Sequence, residues 1–304
     1  MPMRASIDIG SNTILLLAGS FSNDGFNEAI SESRVTSLGK GLDRTGKFDP
    51  TSIEDSKQAF KEYVKILKKV DIKPSEVIVT ATEASRVASN SDELLGFVEK
   101  KYGFKVQIIS GEGEAYYTSL GVVKGSKIAS DSAIIMDIGG ASTEFIRVRT
   151  NPFSIKETIS LPMGSVRATD WLQEGIYDQK FEAIKEKFDI DSFKTEHLIC
   201  VAGSMTALGG MIKGLTSFDK DEIQGAKISM SEFDNFLKSI LKCDAEELKK
   251  QYPFLGKRAP YIQGGAIVGK TLADILGVKT FEISTLGLRY GTIFSGGIDE
   301  RFVR

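Results

Sequence analysis

Two short phrases hold the residues with the plainest capacity for chemistry, "IDIGSNT" around Asp8 and "MDIGGASTEF" around Asp137. Each runs an apolar strand into an aspartate, then into glycine and hydroxyl residues, then into a second strand. Between antiparallel strands this pattern predicts a tight hairpin with exposed backbone N–H groups. Glycine permits a positive φ in such a turn and lets an anion approach the backbone closely. The residues so placed are Gly10, Ser11, Asn12 and Thr13 in the first turn, and Gly139, Gly140, Ala141, Ser142 and Thr143 in the second. Their chemistry would be to hold phosphate oxygens. One copy alone is an ordinary hairpin turn. Two copies facing each other across a cleft would clamp a chain of phosphates from both sides. Asp8 and Asp137 would then hold Mg2+ (or Mn2+), since Mg2+ takes one or two carboxylates and completes its shell with water and phosphate oxygens.

The elements that must position these turns follow from the pattern along the chain. The first half reads as three strands and then a glycine-bearing basic loop, "LGKGLDRTGKFDP". A helix follows from "TSIEDS", whose Thr51 and Glu54 form a capping-box pattern, with Ala59, Tyr63, Ile66, Leu67 and Val70 on one face. "EVIVTAT" is a strand, "EASRVASNSDELLGFVEKKYG" mostly helix, "KVQIIS" a strand and "GEGEAYYTSLGVV" a helix. "VKGSKIASDS" is polar and reads as a linker, after which the pattern restarts at "SAIIMDIGG". Two copies of one α/β domain are expected, over 1–124 and 125–304, with the last helix (about 287–304) left free to pack back on the first.

Composition narrows the function classes. The 304 residues carry a formal net charge of −2, with 41% hydrophobic and 26% charged residues. A chain of this length ordinarily divides into two cores. Its balanced charge offers no global field for nucleic acid or a membrane surface, so a polyanion must be held by local basic groups and amides. Lys40, Arg44 and Lys47 in the basic loop could line the entrance for one. Two cysteines, Cys200 and Cys243, fit a reducing compartment. The absence of an apolar run of spanning length, and of room for a leader before the first strand, leads to a cytoplasmic expectation.

Taken in order, "IDIGSNT", "LGKGL", "TATEASRVASN", "IISGEGEAYYTSLG", "MDIGGASTE", "SLPMGSVR", "VAGSMTAL" and "STLGLRYG" cover nearly the whole chain. On these motifs the sequence resembles the exopolyphosphatase/guanosine pentaphosphate phosphatase (Ppx/GppA) family, within the actin/Hsp70/sugar-kinase superfold. The resemblance implies an α/β fold of two ribonuclease-H-like (actin-like ATPase) domains with an interdomain cleft. It also implies Mg2+-dependent release of terminal orthophosphate from inorganic polyphosphate, guanosine pentaphosphate or both, with a homodimer left open. Glu114 matches the family's catalytic glutamate, which positions and deprotonates water. Glu144 matches an acidic residue near metal and water, and Arg86 a position at the phosphate site. Gly203, Ser204 and Thr206 resemble the loop that holds the nucleoside in nucleotide-using members of the superfold. Two positions depart from the pattern: Ala141 replaces a third glycine, and Gly113 stands where a further glutamate is common.

Plainer readings accompany several of these. A first-turn carboxylate can simply favour the helix dipole, a role that suits Glu112 better than Glu114. Arg86 could form a salt bridge with a neighbouring carboxylate, and Ser204 could be a helix N-cap. His197, the sole histidine, reads as a strand-edge residue and Trp171 as packing. "GGAIVGKT" from Gly264 fits a P-loop spacing, yet it lies inside a helical stripe rather than in a strand-to-helix turn. An ATP-dependent kinase of the same superfold and a non-catalytic guanosine-polyphosphate sensor are the competing functions. The glutamate ahead of "AYY" favours water as the acceptor over both.

Overall fold

The computed structural model describes residues 3–22, 25–126 and 128–304. It divides into two α/β units, Met1–Gly125 with Gly287–Arg304, and Ser126–Leu286. The residues from 287 onward, drawn with the second domain on sequence but left free to join the first, lie in the first unit. Met1 and Pro2 ahead of the first strand, and Lys127 within the polar linker, lie outside the described residues. Among the described residues no helix is long and apolar enough to cross a membrane.

The first unit is built on a five-stranded sheet of β1 (Met3–Ile9), β2 (Thr13–Ser22), β3 (Gly25–Val35), β4 (Ile78–Ala81) and β5 (Val106–Ile108). Its spatial order is β3-β2-β1-β4-β5. β1, β2 and β3 pair antiparallel, whereas β4 and β5 run parallel to β1. β1 buries Ala5, Ile7 and Ile9 on one face and Ser6 on the other, as a central strand covered on both sides does. The helix Pro50–Lys69 covers this sheet with Ile53, Phe60, Tyr63 and Leu67, and the Tyr63 hydroxyl donates to the Ile14 carbonyl at 2.7 Å. The capping box expected at Thr51 and Glu54 is not formed, since the helix already starts at Pro50 and Thr51 lies inside it. Asp49 caps it by accepting from the Thr51 N–H, and Pro50 takes the first position, where a missing N–H costs nothing.

The second unit repeats the plan. Its strands are β6 (Ser132–Ile138), β7 (Thr143–Arg149), β8 (Ser154–Leu161), β9 (His197–Val201), β10 (Lys227–Ser229) and β11 (Thr280–Ile283). The order is β10-β11-β9-β6-β7-β8. Read from β8, the first five strands follow the same topology as the first sheet, with the short β10 added at the edge. That strand is absent from the sequence reading, since three residues give no periodicity to detect. Trp171 packs in the core of this unit, as expected.

Two further sequence readings change. The stretch 83–102 is two helices, Glu83–Val87 and Asp92–Tyr102, separated at the Ala88 break. The basic loop contains a short helix, Leu42–Thr45, flanked by left-handed Gly41 and Gly46. The P-loop-like stretch from Gly264 lies in the helix Ala259–Leu276. There a Cβ on Gly264 would meet the Thr169 hydroxyl at 2.3 Å, so this glycine serves helix packing.

Candidate functional site

The parallel strands of each sheet deliver the candidate residues at their carboxyl ends, the usual ligand-binding edge of an α/β sheet. In the first unit, β1 ends in Asp8 and the turn after it. β4 leads into the short helix that carries Arg86. β5 leads into the helix Gly111–Gly125, whose first turn carries Glu114. In the second unit, β6 ends in Asp137 and its turn, and β9 leads into Gly203.

The two hairpins are built alike. Ile9 pairs with Ile14, and Ile138 with Thr143, so each connection has four residues. Each is closed by the same bond, Gly10 N–H to the Thr13 carbonyl at 3.1 Å and Gly139 N–H to the Ser142 carbonyl at 3.0 Å. Neither Gly10 nor Gly139 adopts a positive φ, contrary to the sequence expectation. What they supply is room, because a Cβ would lie 3.1 and 3.2 Å from those same carbonyl oxygens. The register therefore matches Thr13 to Ser142, and sets Glu144 where the first hairpin has Leu15.

Neighbouring segments hold the carbonyls of both turns. The Ser11 carbonyl accepts from Gly39 N–H at 2.6 Å, and the Asn12 carbonyl from Thr36 and Ser37 N–H at 3.0 Å each. In the second turn, Gly139 and Gly140 accept from the N–H groups of Ser165, Val166 and Arg167, and the Arg167 guanidinium donates to the Ala141 carbonyl. The N-terminal donors of the helix Ser165–Gln173 are thereby satisfied by the turn itself. Among the described residues, the N–H groups of Ser11, Asn12, Gly140, Ala141 and Ser142 donate to no backbone carbonyl. With the carbonyls turned away and held, each turn presents amide donors, the arrangement of an anion nest.

Asp137 and Glu144 are directly opposite across β6 and β7, so their side chains share one face of the sheet. Glu144 is only 2% exposed and accepts from the Ser160 hydroxyl at 2.7 Å. Two facing carboxylates, one of them buried, favour a cation between or beside them. Mg2+ fits that donor set. Among the described residues no group of three or more His, Cys, Asp and Glu side chains is placed to hold a metal.

Glu114 lies in the first helical turn, its N–H bonded to the Ser110 carbonyl at 2.9 Å, while the Ser110 hydroxyl accepts from Gly113 N–H at 3.1 Å. Glu112, in the same first turn, is exposed. Arg86 forms the salt bridge raised as its plain alternative, and the carboxylate it meets is Glu114. Both Nη1 and Nη2 lie 3.2 Å from Oε2, and Nη1 also donates to the Ile109 carbonyl at 2.7 Å. Their side chains are 10% and 15% exposed, so the pair is well screened from solvent yet reachable.

Other expected residues have different tasks. Thr143 stands one step past the second turn, and its buried hydroxyl donates to the Met163 carbonyl at 2.6 Å. Thr206 donates back to the Ala202 carbonyl within its own helix at 3.0 Å. Ser204 is not an N-cap, because the helix starts at Ala202 with Val201 before it. Instead Ser204 is buried where Gly265 passes close by. Lys40, Arg44 and Lys47 are exposed on the loop that Gly39 fastens to the first turn. His197 opens β9 and is 3.0 Å from Glu282, a carboxylate that sequence distance concealed.

Sequence reasoning missed Arg167 and Arg258. Arg167 belongs to "SLPMGSVR", where a basic residue three positions after a glycine was the available signal. The Arg258 guanidinium lies over Gly203, where a Cβ would be 2.7 Å from Nη2. Burial pushes its pKa down to about 10, and Ala202 beside it adopts a left-handed φ of 70°. A glycine at the strand-to-helix step was the trace of this close approach.

Comparison with known proteins agrees with this construction. The family model described as the Ppx/GppA phosphatase family matches residues 21–297. A bifunctional 3-dehydroquinate synthase/phosphatase of Fusobacterium nucleatum is 30% identical over 97% of this chain, although the chain spans only 46% of that protein's length. Exopolyphosphatase 2 of Mycobacterium tuberculosis is 25% identical over 88% of this chain and 89% of its own. The crystal structure of the Aquifex aeolicus Ppx/GppA family member superimposes with a TM-score of 0.76 at 26% identity, covering 97% of both chains. The two-domain actin-like fold expected from the motifs is thus shared. Paired amide-lined turns, the carboxylates beside them and the match along nearly the whole sequence lead to one statement: this chain belongs to the Ppx/GppA phosphatase family.

Proposed function

We propose that the chain is a phosphoanhydride hydrolase that releases terminal orthophosphate from inorganic polyphosphate, with guanosine pentaphosphate as the second substrate class. The observation that carries this reading is the duplicated turn. Each copy holds its carbonyls back, presents amide donors and begins two residues after an aspartate. Such a device recognises phosphate by geometry and charge. It is sequence-tolerant along a repeating polyanion, which suits a polymer of identical units. The names of the exopolyphosphatase relatives support the same substrate class.

Phosphoryl transfer to water asks the protein for position and electrostatics rather than covalent chemistry. Glu114 orients the attacking water and takes its proton. Arg86 fixes that carboxylate and leaves a guanidinium edge for phosphate oxygens, for which its fork is well shaped. Asp137 and Glu144 would hold Mg2+, and Asp8 is the matching carboxylate ahead of the first turn. Bound there, the ion would neutralise charge on the phosphate oxygens. The amides of each turn would hold phosphates that are not transferred.

The test is phosphate release by the purified chain with Mg2+, comparing long polyphosphate, guanosine pentaphosphate and ATP. Release from polyphosphate is expected. Transfer from ATP to an alcohol without phosphate release would favour a kinase, and tight binding of guanosine pentaphosphate without turnover would favour a sensor.

A further inference from the structure

The segment 299–304 grips the start of the helix that carries Glu114. The Phe302 carbonyl accepts from Ser110 N–H at 2.8 Å, Arg304 N–H donates to the Ile108 carbonyl at 2.9 Å, and Val303 bridges Ile109 in antiparallel fashion. Asp299 N–H donates to the Tyr117 hydroxyl at 2.8 Å. The Phe302 ring lies 5.2 Å from that of Tyr116 and 5.8 Å from that of Tyr117, with the Arg301 guanidinium 4.6 Å from its centroid. Thus the segment extends the edge of β5 and then closes over the first helical turn.

The contact at Gly113 is the tightest of these. A Cβ there would lie 2.8 Å from the Phe302 Cβ and 3.1 Å from its Cγ. The Phe302 Cβ is fixed to the backbone and cannot rotate aside. Glycine at 113, the departure noted in the sequence, is what lets Phe302 seat. Ser110 is the common node. Its N–H is held by Phe302, its hydroxyl caps Gly113, and its carbonyl receives Glu114 N–H. Glu114 is therefore held from two directions, by Arg86 at its carboxylate oxygen and, through Ser110, by Phe302 at the start of its helix.

We propose that Phe302 is a positioning residue for Glu114, acting through Ser110 and Gly113. This rests on the reading of Glu114 as the water-activating base. Misplacing such a group by about 1 Å can cost about 10²-fold, while phosphate-binding amides elsewhere are untouched.

The experiment compares phosphate release from polyphosphate by wild type, Gly113→Ala, Phe302→Gly, the Gly113→Ala/Phe302→Gly double variant, and Gly113→Ala combined with Glu114→Gln. All are assayed below their thermal midpoints. Gly113→Ala should lower kcat roughly 10–100-fold with KM within about twofold, since it spoils orientation rather than binding. Phe302→Gly alone should also lower kcat with KM within about twofold, and the double variant should be no slower than Gly113→Ala, because the new methyl enters space that Phe302 has vacated. In the Glu114→Gln background, Gly113→Ala should slow turnover little further. A slow Glu114→Gln enzyme together with wild-type kcat in Gly113→Ala overturns the inference alone. So does a full additional loss in the Gly113→Ala/Glu114→Gln variant. Wild-type turnover in Glu114→Gln overturns the reading of Glu114 and this inference with it.

Discussion

Replacing Glu114 with glutamine keeps the side chain's size and one oxygen acceptor while removing its charge and basicity. In the folded chain Arg86 places two nitrogens 3.2 Å from Oε2, with the pair 10% and 15% exposed. The amide oxygen of glutamine still accepts from Arg86, which also retains the Ile109 carbonyl. Only the charge assistance is lost, about 1–2 kcal/mol, and the first-turn dipole interaction adds about 0.3–1 kcal/mol. The stability cost is therefore about 1–3 kcal/mol, a thermal shift of a few degrees. Loss of a general base costs about 10²–10⁴ in rate, or about 2.7–5.4 kcal/mol of barrier. The fall should appear in kcat rather than KM. Thermal melting, polyphosphate affinity and phosphate release measured on the one variant separate the two scales. Turnover within twofold of wild type, with stability lowered as above, would reduce Glu114 to a structural partner of Arg86 and refute the mechanism.

Asp137→Asn, which leaves Glu144 opposite an uncharged neighbour, should remove Mg2+ binding measured by calorimetry and drop activity to the level of chelator-treated wild type. Unchanged activity that ignores chelator would exclude the metal assignment. Gly164→Ala puts a Cβ 2.6 Å from the Gly140 carbonyl carbon and 2.7 Å from Ala141 N, so the second turn must shift. A stability loss of about 1–3 kcal/mol and a raised KM for polyphosphate are expected, and an unaltered KM would count against that turn as a phosphate contact. The Arg34 hydrogen bond, then that of Gln58, holds the Glu62 carboxyl below its ordinary value. Its stabilisation is thus complete above the ordinary carboxylate pKa and disappears as pH falls through the lower folded value. The pair is about one-third exposed, so the contribution is under about 1 kcal/mol. Glu62→Gln should flatten that part of the acid-stability profile, and an unchanged profile would show that the ion pair contributes nothing.

The sequence by itself determined the two Asp-Ile-Gly turns, the strands that bracket them, the helix that begins beside Glu114, and the repetition of one α/β plan. All of these rest on local physics: short apolar runs in β1 and β6, glycine where backbone must pass close, and helical stripes such as that of Ala59, Tyr63 and Leu67. Local reasoning also made its own errors. Positive φ was expected of glycines that serve close approach, and the plain alternative for Ser204, a helix N-cap, fails because the helix already starts at Ala202. Only the tertiary structure decided which distant residues share a site. Arg86 and Glu114 meet because β4 and β5 lie parallel and end at one edge. Glu144 faces Asp137 because the turn has four residues, and one residue more or fewer would have carried it to the other face of the sheet. Arg258 reaches Gly203, and Phe302 reaches Gly113, from chain that returns after many intervening elements. No periodicity encodes such meetings. They follow from strand order, register and the missing side chains that let two backbones approach.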